Sequence, residues 1–417
     1  MINPGPRRSD APRIAALLTH PIQYYSPFFA ALATRAALTV YYAHAQDGAG
    51  QAAAGFGSAF DWDVPLFEGY EARFLTNVAR QPGLGRFRGC DTPEIGAILA
   101  RERFDALFLL GWNHLSLVQG WIGARRAGAP VLLRLDNQIG AQPSGWRRAA
   151  KRALYPAILS WGAGYLSPGA RTDAFLRAHG APPSRIHRLP HMIDVARFSA
   201  GAEAARRSGA RAARRRLWGA APDETVFLFV GKLIQRKRPA LLLEAFKRSG
   251  LARARLVFVG EGPLRPVLEA AAAGDDRVRF AGFANQTALP EIYAAADCLA
   301  LPSNGLETWG LVVNEAQACG LPAIVSSAVG CGPDLIEEGV TGSVFPGDDA
   351  DALADRLRRA AETPLAGAAA IRAKAEARRF ETGAEALLNA IEREARRGAG
   401  DAALRLPPLR RAEGGAL

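Results

Sequence analysis

Short, almost continuously apolar runs recur along this 417-residue chain, separated by stretches with helical spacing. In the first half they are Ile14–Thr19, Leu38–His44, Ala106–Leu110, Val131–Leu135, Gly164–Ser167 and Arg185–Leu189. In the second half they are Val226–Val230, Arg255–Val259, Val278–Ala281, Cys298–Leu301, Ala323–Ser326 and Ser343–Phe345. Many do not alternate apolar with polar. A strand apolar on both sides belongs in a sheet covered on both faces, as parallel sheets are. Helical patterns lie between them, for example Ala240–Arg248, Leu264–Ala273, Leu289–Ala296 and Asn314–Cys319. Strands alternating with helices predict right-handed βαβ units and a doubly wound α/β fold.

The series occurs twice, so two Rossmann-like parallel-sheet domains facing a central cleft are expected. The expected boundaries are a disordered start at 1–13, an N-terminal domain at 14–198, a basic Ala/Gly-rich linker at 199–221 and a second domain at 222–380. A helix at 381–397 and a flexible tail at 398–417 complete the expectation. Such sheets bind ligands at the carboxyl ends of their strands.

Composition narrows the classes. Apolar residues are 49% and charged residues 22%, which excludes disorder over the whole chain. The net charge of +12 points to an anionic partner. Residues 1–200 carry 22 Lys and Arg against 13 Asp and Glu, so most of the excess lies in the N-terminal half. Arg is the default cation here, and three of the five lysines (Lys232, Lys237, Lys247) fall close together, as a site needing compact point charges would require. Cys90, Cys298, Cys319 and Cys331 form no CxxC pair, which argues against a zinc site or a disulfide framework. That usage, the lack of an apolar run of membrane-spanning length and the short apolar stretch after the first arginines lead us to expect a cytoplasmic protein.

The densest chemistry lies at Ser303-Asn-Gly-Leu-Glu307-Thr-Trp-Gly310-Leu311-Val-Val-Asn-Glu315. A buried strand, a Gly-containing loop and a helix start leave free backbone N–H groups facing a cleft, which suits a phosphate. Glu307 precedes that helix and Glu315 follows roughly two turns on. Carboxylates accept hydrogen bonds from sugar hydroxyls, so the pair with the helix start suits a nucleotide sugar. Two solvated surface glutamates are the plainer alternative. Gly231-Lys232…Lys237 follows another buried strand. Its cations would neutralise a diphosphate leaving group, or would be a solvated turn before the next helix. Gly260-Glu-Gly262-Pro263 reads as a tight structural turn.

Together these pieces resemble the donor-binding half of the retaining family-4 glycosyltransferases, which have the GT-B fold. The resemblance covers about residues 224–347 and includes Ala318-Cys-Gly-Leu-Pro322. Thr19-His20-Pro and Pro190-His-Met-Ile-Asp194 match more loosely, the second where the family usually has a Pro-Asn-Gly-Val-Asp-like sequence. The resemblance implies that Glu315 holds the ribose, Lys232 and Lys237 hold the diphosphate with the N–H groups of Gly310 and Leu311, and Glu307 contacts the donor sugar. It implies no metal and no cofactor beyond the nucleotide-sugar donor. It also implies front-face attack, with the leaving diphosphate helping to take the acceptor proton.

The chain departs from the family after Val131–Leu135, where many relatives place a histidine and this sequence has Asp136. Asp136 would act on the acceptor hydroxyl as a base, or would pair with Arg134 or cap a helix. His20, Tyr24 and Asn113 are candidates for the acceptor side, with plain loop structure as the alternative. The segment 146–161 reads as a cationic amphipathic helix, either docking on an anionic membrane or facing the core with a solvated basic side. The expected acceptor is a lipid-linked or cell-envelope glycan. Nucleic acid is not an expected partner, because no recognised nucleic-acid motif is present. A nucleotide-sugar epimerase, a phosphorylase on the same fold and a non-catalytic basic binder are the competing readings.

Overall fold

The computed structural model describes residues 11–46, 50, 60–139, 145–363 and 367–400. The N-terminal sheet has seven strands: β1 (Arg13–Leu18), β2 (Ala37–Tyr42), β3 (Glu71–Phe74), β4 (Ala106–Leu110), β5 (Val131–Arg134), β6 (Gly164–Ser167) and β7 (Ile186–Arg188). Their order is β3-β2-β1-β4-β5-β6-β7. The second sheet has six: β8 (Thr225–Val230), β9 (Ala254–Val259), β10 (Val278–Gly282), β11 (Cys298–Leu301), β12 (Ala323–Ser326) and β13 (Gly342–Phe345), in the order β10-β9-β8-β11-β12-β13. Both are parallel throughout, with Ile14 opposite both Leu38 and Ala106, and Leu228 opposite both Val257 and Leu299.

The burial explains why the strands were readable. β1, β5, β6, β11 and β12 are buried along all or nearly all of their length, because helices cover both faces. Each of the twelve expected strands is present, its ends within two residues of the expected ones. β3 was not expected. Its Glu-Ala-Arg-Phe sequence lies at the sheet edge, mostly exposed, and is held by Glu71 accepting from Thr39 and by an Arg73–Glu102 ion pair. In both sheets the strand order reverses direction beside the first strand, between β1 and β4 and between β8 and β11. Crevices therefore open at the carboxyl ends of those strands.

The stretch expected as a linker is instead two helices, Val195–Arg207 and Ala210–Leu217. Phe198, Ala202 and Ala205 are buried in the core of the second domain. Several of the arginines that gave the stretch its linker character are paired. Arg211 and Arg215 both bind Asp297, Arg214 binds Glu291, and Arg215 is only 3% exposed. The last helix, Phe380–Gly400, lays Ala384, Leu387, Ala390 and Ile391 against Ile14, Phe28, Leu132 and Leu166 of the N-terminal domain. Glu394 meets His187 there at 2.6 Å, both buried. The expected disordered start and flexible tail fall almost wholly outside the described residues.

Candidate active site

β8 is followed by Gly231, and the chain turns through a 3₁₀ segment, Gln235–Lys237, into the helix Pro239–Ser249. Gly231 and Gly260 lie side by side with φ of 141°, and a Cβ on Gly260 would collide with the Gly231 carbonyl. The Gly260–Pro263 turn is therefore structural, bringing two loops together. The fold of the turn buries Lys237 and aims its Nζ at Glu307 Oε2, 2.8 Å away. Ser303 Oγ donates to the same oxygen at 3.3 Å. Burial opposes ionisation of Glu307, but Lys237, Arg236 and the Ser303 hydroxyl outweigh it and hold the carboxyl below its ordinary value. Lys232 is half-buried in the same turn. Burial, with Arg236 and Lys237 adding, pushes its ammonium down to about 8.

Gly310 stands at the start of the helix Leu311–Ala318 with φ of 101°. A Cβ there would sit 2.8 Å from Leu301 Cδ2, so both conformation and space require glycine. Leu311 is half-buried at the first helical position. Glu315 is 5% exposed, and the Tyr293 hydroxyl donates to its Oε2 at 2.6 Å. Burial pushes the Glu315 carboxyl up to about 7, with Tyr293, Arg197 and Lys237 pulling the other way. The two glutamates thus differ: Glu307 is a paired carboxylate, and Glu315 is poised between its charge states.

The N-terminal domain faces this loop with the carboxyl end of β5. Gln138 reaches across and donates to the carbonyl oxygens of Gly305 at 2.5 Å and of Glu307 and Ala328 at 3.3 Å each. Asp136 lies 3.3 Å from Arg134 Nε and 3.4 Å from His191 Nε2. Asp136 thus pairs with Arg134, one of the plainer alternatives to a role on the acceptor. Burial works against the Asp136 charge, but His191 and Arg134 hold the carboxyl well below the usual carboxylate range. The His191 ring lies between Tyr24, edge-on at 6.2 Å, and Trp309 at 5.1 Å. The segment behind it is tied to the helix start: Asn314 donates to the His191 carbonyl at 3.1 Å and accepts from Trp309 Nε1 at 2.8 Å.

The remaining acceptor-side candidates divide. Tyr24 is within electrostatic reach of both Asp136 and Glu307, and burial raises its hydroxyl far above its ordinary value. His20 pairs with Thr19 Oγ1 at 2.9 Å. Burial, reinforced by His44 and His114, lowers it to about 4. Asn113 is exposed beside Gly111 and touches none of the groups above. Asp61 and Asp63 bridge the domains, the Asp61 carbonyl accepting from Asn285 and the Asp63 carboxylate from Thr287 N. His191, Gln138 and Tyr293 were not singled out as site residues. Only His191 left a signal, standing inside the segment that departs from the family pattern. Among the described residues, no group of three or more His, Cys, Asp or Glu is arranged to hold a metal ion.

Two family matches bear on this geometry. Residues 211–379 match the glycosyl transferases group 1 family, and residues 71–192 match the glycosyl transferase 4-like domain. Together they take in both domains and well over half of the chain. The chain belongs to the group 1 glycosyltransferases. A D-inositol 3-phosphate glycosyltransferase of Saccharomonospora viridis is 34% identical to this family member over 223 residues, which are 50% of this chain and 49% of that protein. Another, of Geodermatophilus obscurus, is 40% identical over 185 residues, 41% and 39% of the two chains. The chain thus spans about half the length or less of the curated relatives it matches. Among solved structures, Anabaena HepE in complex with UDP and glucose superposes with a TM-score of 0.67 at 17% identity, over 91% of this chain and 99% of that one. The lipopolysaccharide outer core galactosyltransferase WaaB gives 0.64 at 14% identity, with the same coverage. These likenesses show that the two-domain architecture is GT-B.

Proposed function

We propose that this group 1 family member is a retaining, metal-independent glycosyltransferase. It moves a sugar from a nucleoside-diphosphate sugar to a hydroxyl acceptor. The observation that carries the reading is the convergence of Lys237, Glu307, Glu315 and the helix start at Gly310 on the carboxyl ends of β8 and β11. Lys232, Lys237 and the Gly310 and Leu311 N–H groups would neutralise the departing diphosphate. Gly231 gives it room. Glu315 would accept from the ribose hydroxyls and Glu307 from the donor sugar. The HepE complexes with UDP and UDP-glucose support the donor class.

Positioning does most of the remaining work. Gln138 ties the Glu307 loop to the N-terminal domain, so the reacting groups are held on both sides of the cleft. We place a lipid-linked or cell-envelope glycan on the N-terminal side. In support, Leu154 and Trp161 are 58% and 50% exposed, with the Arg125 guanidinium over the Trp161 ring. The apolar line through 154 and 161 therefore does not face the core; Tyr155, Ile158 and Leu159 do. No described helix is long and apolar enough to cross a membrane, so any membrane contact would be peripheral.

Thermal shifts with UDP, GDP, UDP-glucose and GDP-mannose test the donor reading. A nucleotide at 100 times its Kd adds about 2.7 kcal/mol to stability. The expected result is a shift for one nucleotide family that Lys232→Ala/Lys237→Ala and Glu315→Gln abolish. No shift with any of them overturns the reading. Proton NMR of the anomeric signal in the product checks retention.

A further inference from the structure

The N-terminal sheet ends at β3 in an open edge. Leu75 N donates to the Tyr42 carbonyl at 2.8 Å, and Ala72 stands opposite Val40 in the parallel pair. Successive residues of a strand turn their backbone groups to alternate sides, so Glu71 and Arg73 bond to β2 while Ala72 and Phe74 present theirs outward. Among the described residues nothing takes up those outward groups. Edge strands are ordinarily blunted by a bulge, a proline or a covering segment. In the second sheet β10 has a register shift between Phe280 and Gly282, and β13 at the opposite edge has a bridge from Gly342 to Glu338. β3 keeps a regular register over all four residues and contains no proline. Beside it lie two exposed aromatic side chains. Phe67 and Phe74 are 45% and 49% exposed, with ring centres 5.7 Å apart and Tyr42 behind them.

We propose that this edge docks a second copy of the chain, strand against strand and antiparallel, about a two-fold axis at Ala72. An antiparallel neighbour must offer its own row of outward N–H and carbonyl groups, and a second β3 does. Two registers pair three residues of each strand with the outward groups aligned. Setting Ala72 against the partner's Phe74 places Arg73 against the partner's Arg73, which opposes like charges. Setting Ala72 against the partner's Ala72 places Glu71 against the partner's Arg73, and by symmetry does so twice. It also brings Phe74 alongside the partner's Tyr70. The strand is thus complementary to itself in one register, and this charge pattern selects a copy of the chain as the occupant.

The side chains are set for it. Within one chain Arg73 Nε and Nη2 donate to Glu71 Oε1 at 3.0 and 2.7 Å, and Nη1 donates to Glu102 at 2.8 Å. Those contacts use three of the five guanidinium N–H groups, so two remain for a second carboxylate. The guanidinium is already held in place, which lowers the entropy lost when that carboxylate arrives. Phe67 and Phe74 would be covered at the junction. The paired strands are only four residues long, so the association is a weak one near the small end of specific interfaces. Its ion pairs are exposed and therefore sensitive to salt.

The test is the molecular mass of the full chain in solution, and it needs no nucleotide. Light scattering from low micromolar to submillimolar protein should show a passage from 44.4 kDa to twice that value, reversed by dilution and by high salt. A mass that stays at 44.4 kDa throughout overturns the proposal. Glu71→Arg and Arg73→Glu should each raise Kd by about tenfold or more, because each variant sets like charges opposite one another in its own dimer. Mixed in equal amounts the two should associate again, since one strand is then wholly basic and the other wholly acidic. That recovery also shows that neither variant has merely unfolded. A wild-type dimer that neither substitution weakens overturns the register, as do variants that keep the wild-type circular dichroism and stay monomeric on mixing. Hydrogen exchange needs no variant. The Ala72 and Phe74 amides should slow as concentration rises, and that of Arg73, bonded to β2, should not. A dimer that leaves the Ala72 and Phe74 amides unprotected overturns the assignment of this edge.

Discussion

Glu315→Gln should stabilise this protein above neutral pH while abolishing nucleotide binding. Glu315 is 5% exposed, and its carboxyl is raised from 4.5 to about 7 by burial. A group that binds its proton more tightly in the folded state contributes stability that is complete below the unfolded value, here pH 4.5. That contribution is lost as the pH rises through about 7. At about 1.36 kcal/mol for each tenfold in proton affinity, the loss amounts to about 3 kcal/mol by pH 8. Glutamine keeps the shape, accepts from the Tyr293 hydroxyl and does not titrate. Other titrating groups contribute equally to both proteins, so the difference between them isolates residue 315. For a domain of 150–250 residues each kcal/mol moves Tm by about 2–4 °C, giving roughly 6–12 °C in favour of the variant at pH 8. At pH 4.5 the two should coincide. Calorimetry across pH 4.5–8.5 decides it. A variant that melts below the wild type at pH 8, or a difference constant across the range, would refute the buried, poised carboxyl. The rise would mean that this site gives up stability to hold a carboxylate ready for a ligand.

Three further outcomes follow from the same geometry. Lys237→Met leaves Glu307 buried without its cation and should cost about 3–5 kcal/mol, read from the urea midpoint; adding Glu307→Gln should recover much of it. Gly310→Ala forces a side chain into a left-handed position against Leu301 and should cost about 1–3 kcal/mol; equal melting temperatures would contradict the helix-start geometry. Lys232, lowered to about 8, should acylate faster at pH 8 than the other lysines and be protected by UDP, as peptide mapping would show.

Much of the fold was legible because burial on both faces leaves a plain record. Strands such as Leu132–Leu133 and Ile324–Val325 can hardly be read otherwise. β3 was silent because an exposed edge strand needs no apolar pattern. The segment 199–221 misled for a different reason. An arginine-rich stretch reads as solvated, yet Arg215 is buried against Asp297 and the carbonyl of Ala295, partners some 80 residues away. In the site, the residues named in advance sit in local signatures, a glycine before a cation or a glutamate before a helix. Gln138, His191 and Tyr293 act through contacts from distant segments, and no spacing rule reports those. His191 was visible only as a departure, and its nearness to Asp136 arises from the packing of β5 against the return of the chain after β7.

The docking of Phe380–Gly400 on the first sheet bears on the order in which the molecule can be made. Ile14, Phe28 and Leu132 emerge early in synthesis, yet the face they form is covered late, by Ala384, Leu387, Ala390 and Ile391. Until then some 250 further residues, the whole second domain among them, have been translated and a wide apolar surface stands open. His187 likewise waits for Glu394. A second domain that folds promptly on its own would bring the closing helix close to its seat, whereas a delay there would leave the first domain exposed. Mutations in the donor half should therefore show their cost as aggregation of the other half.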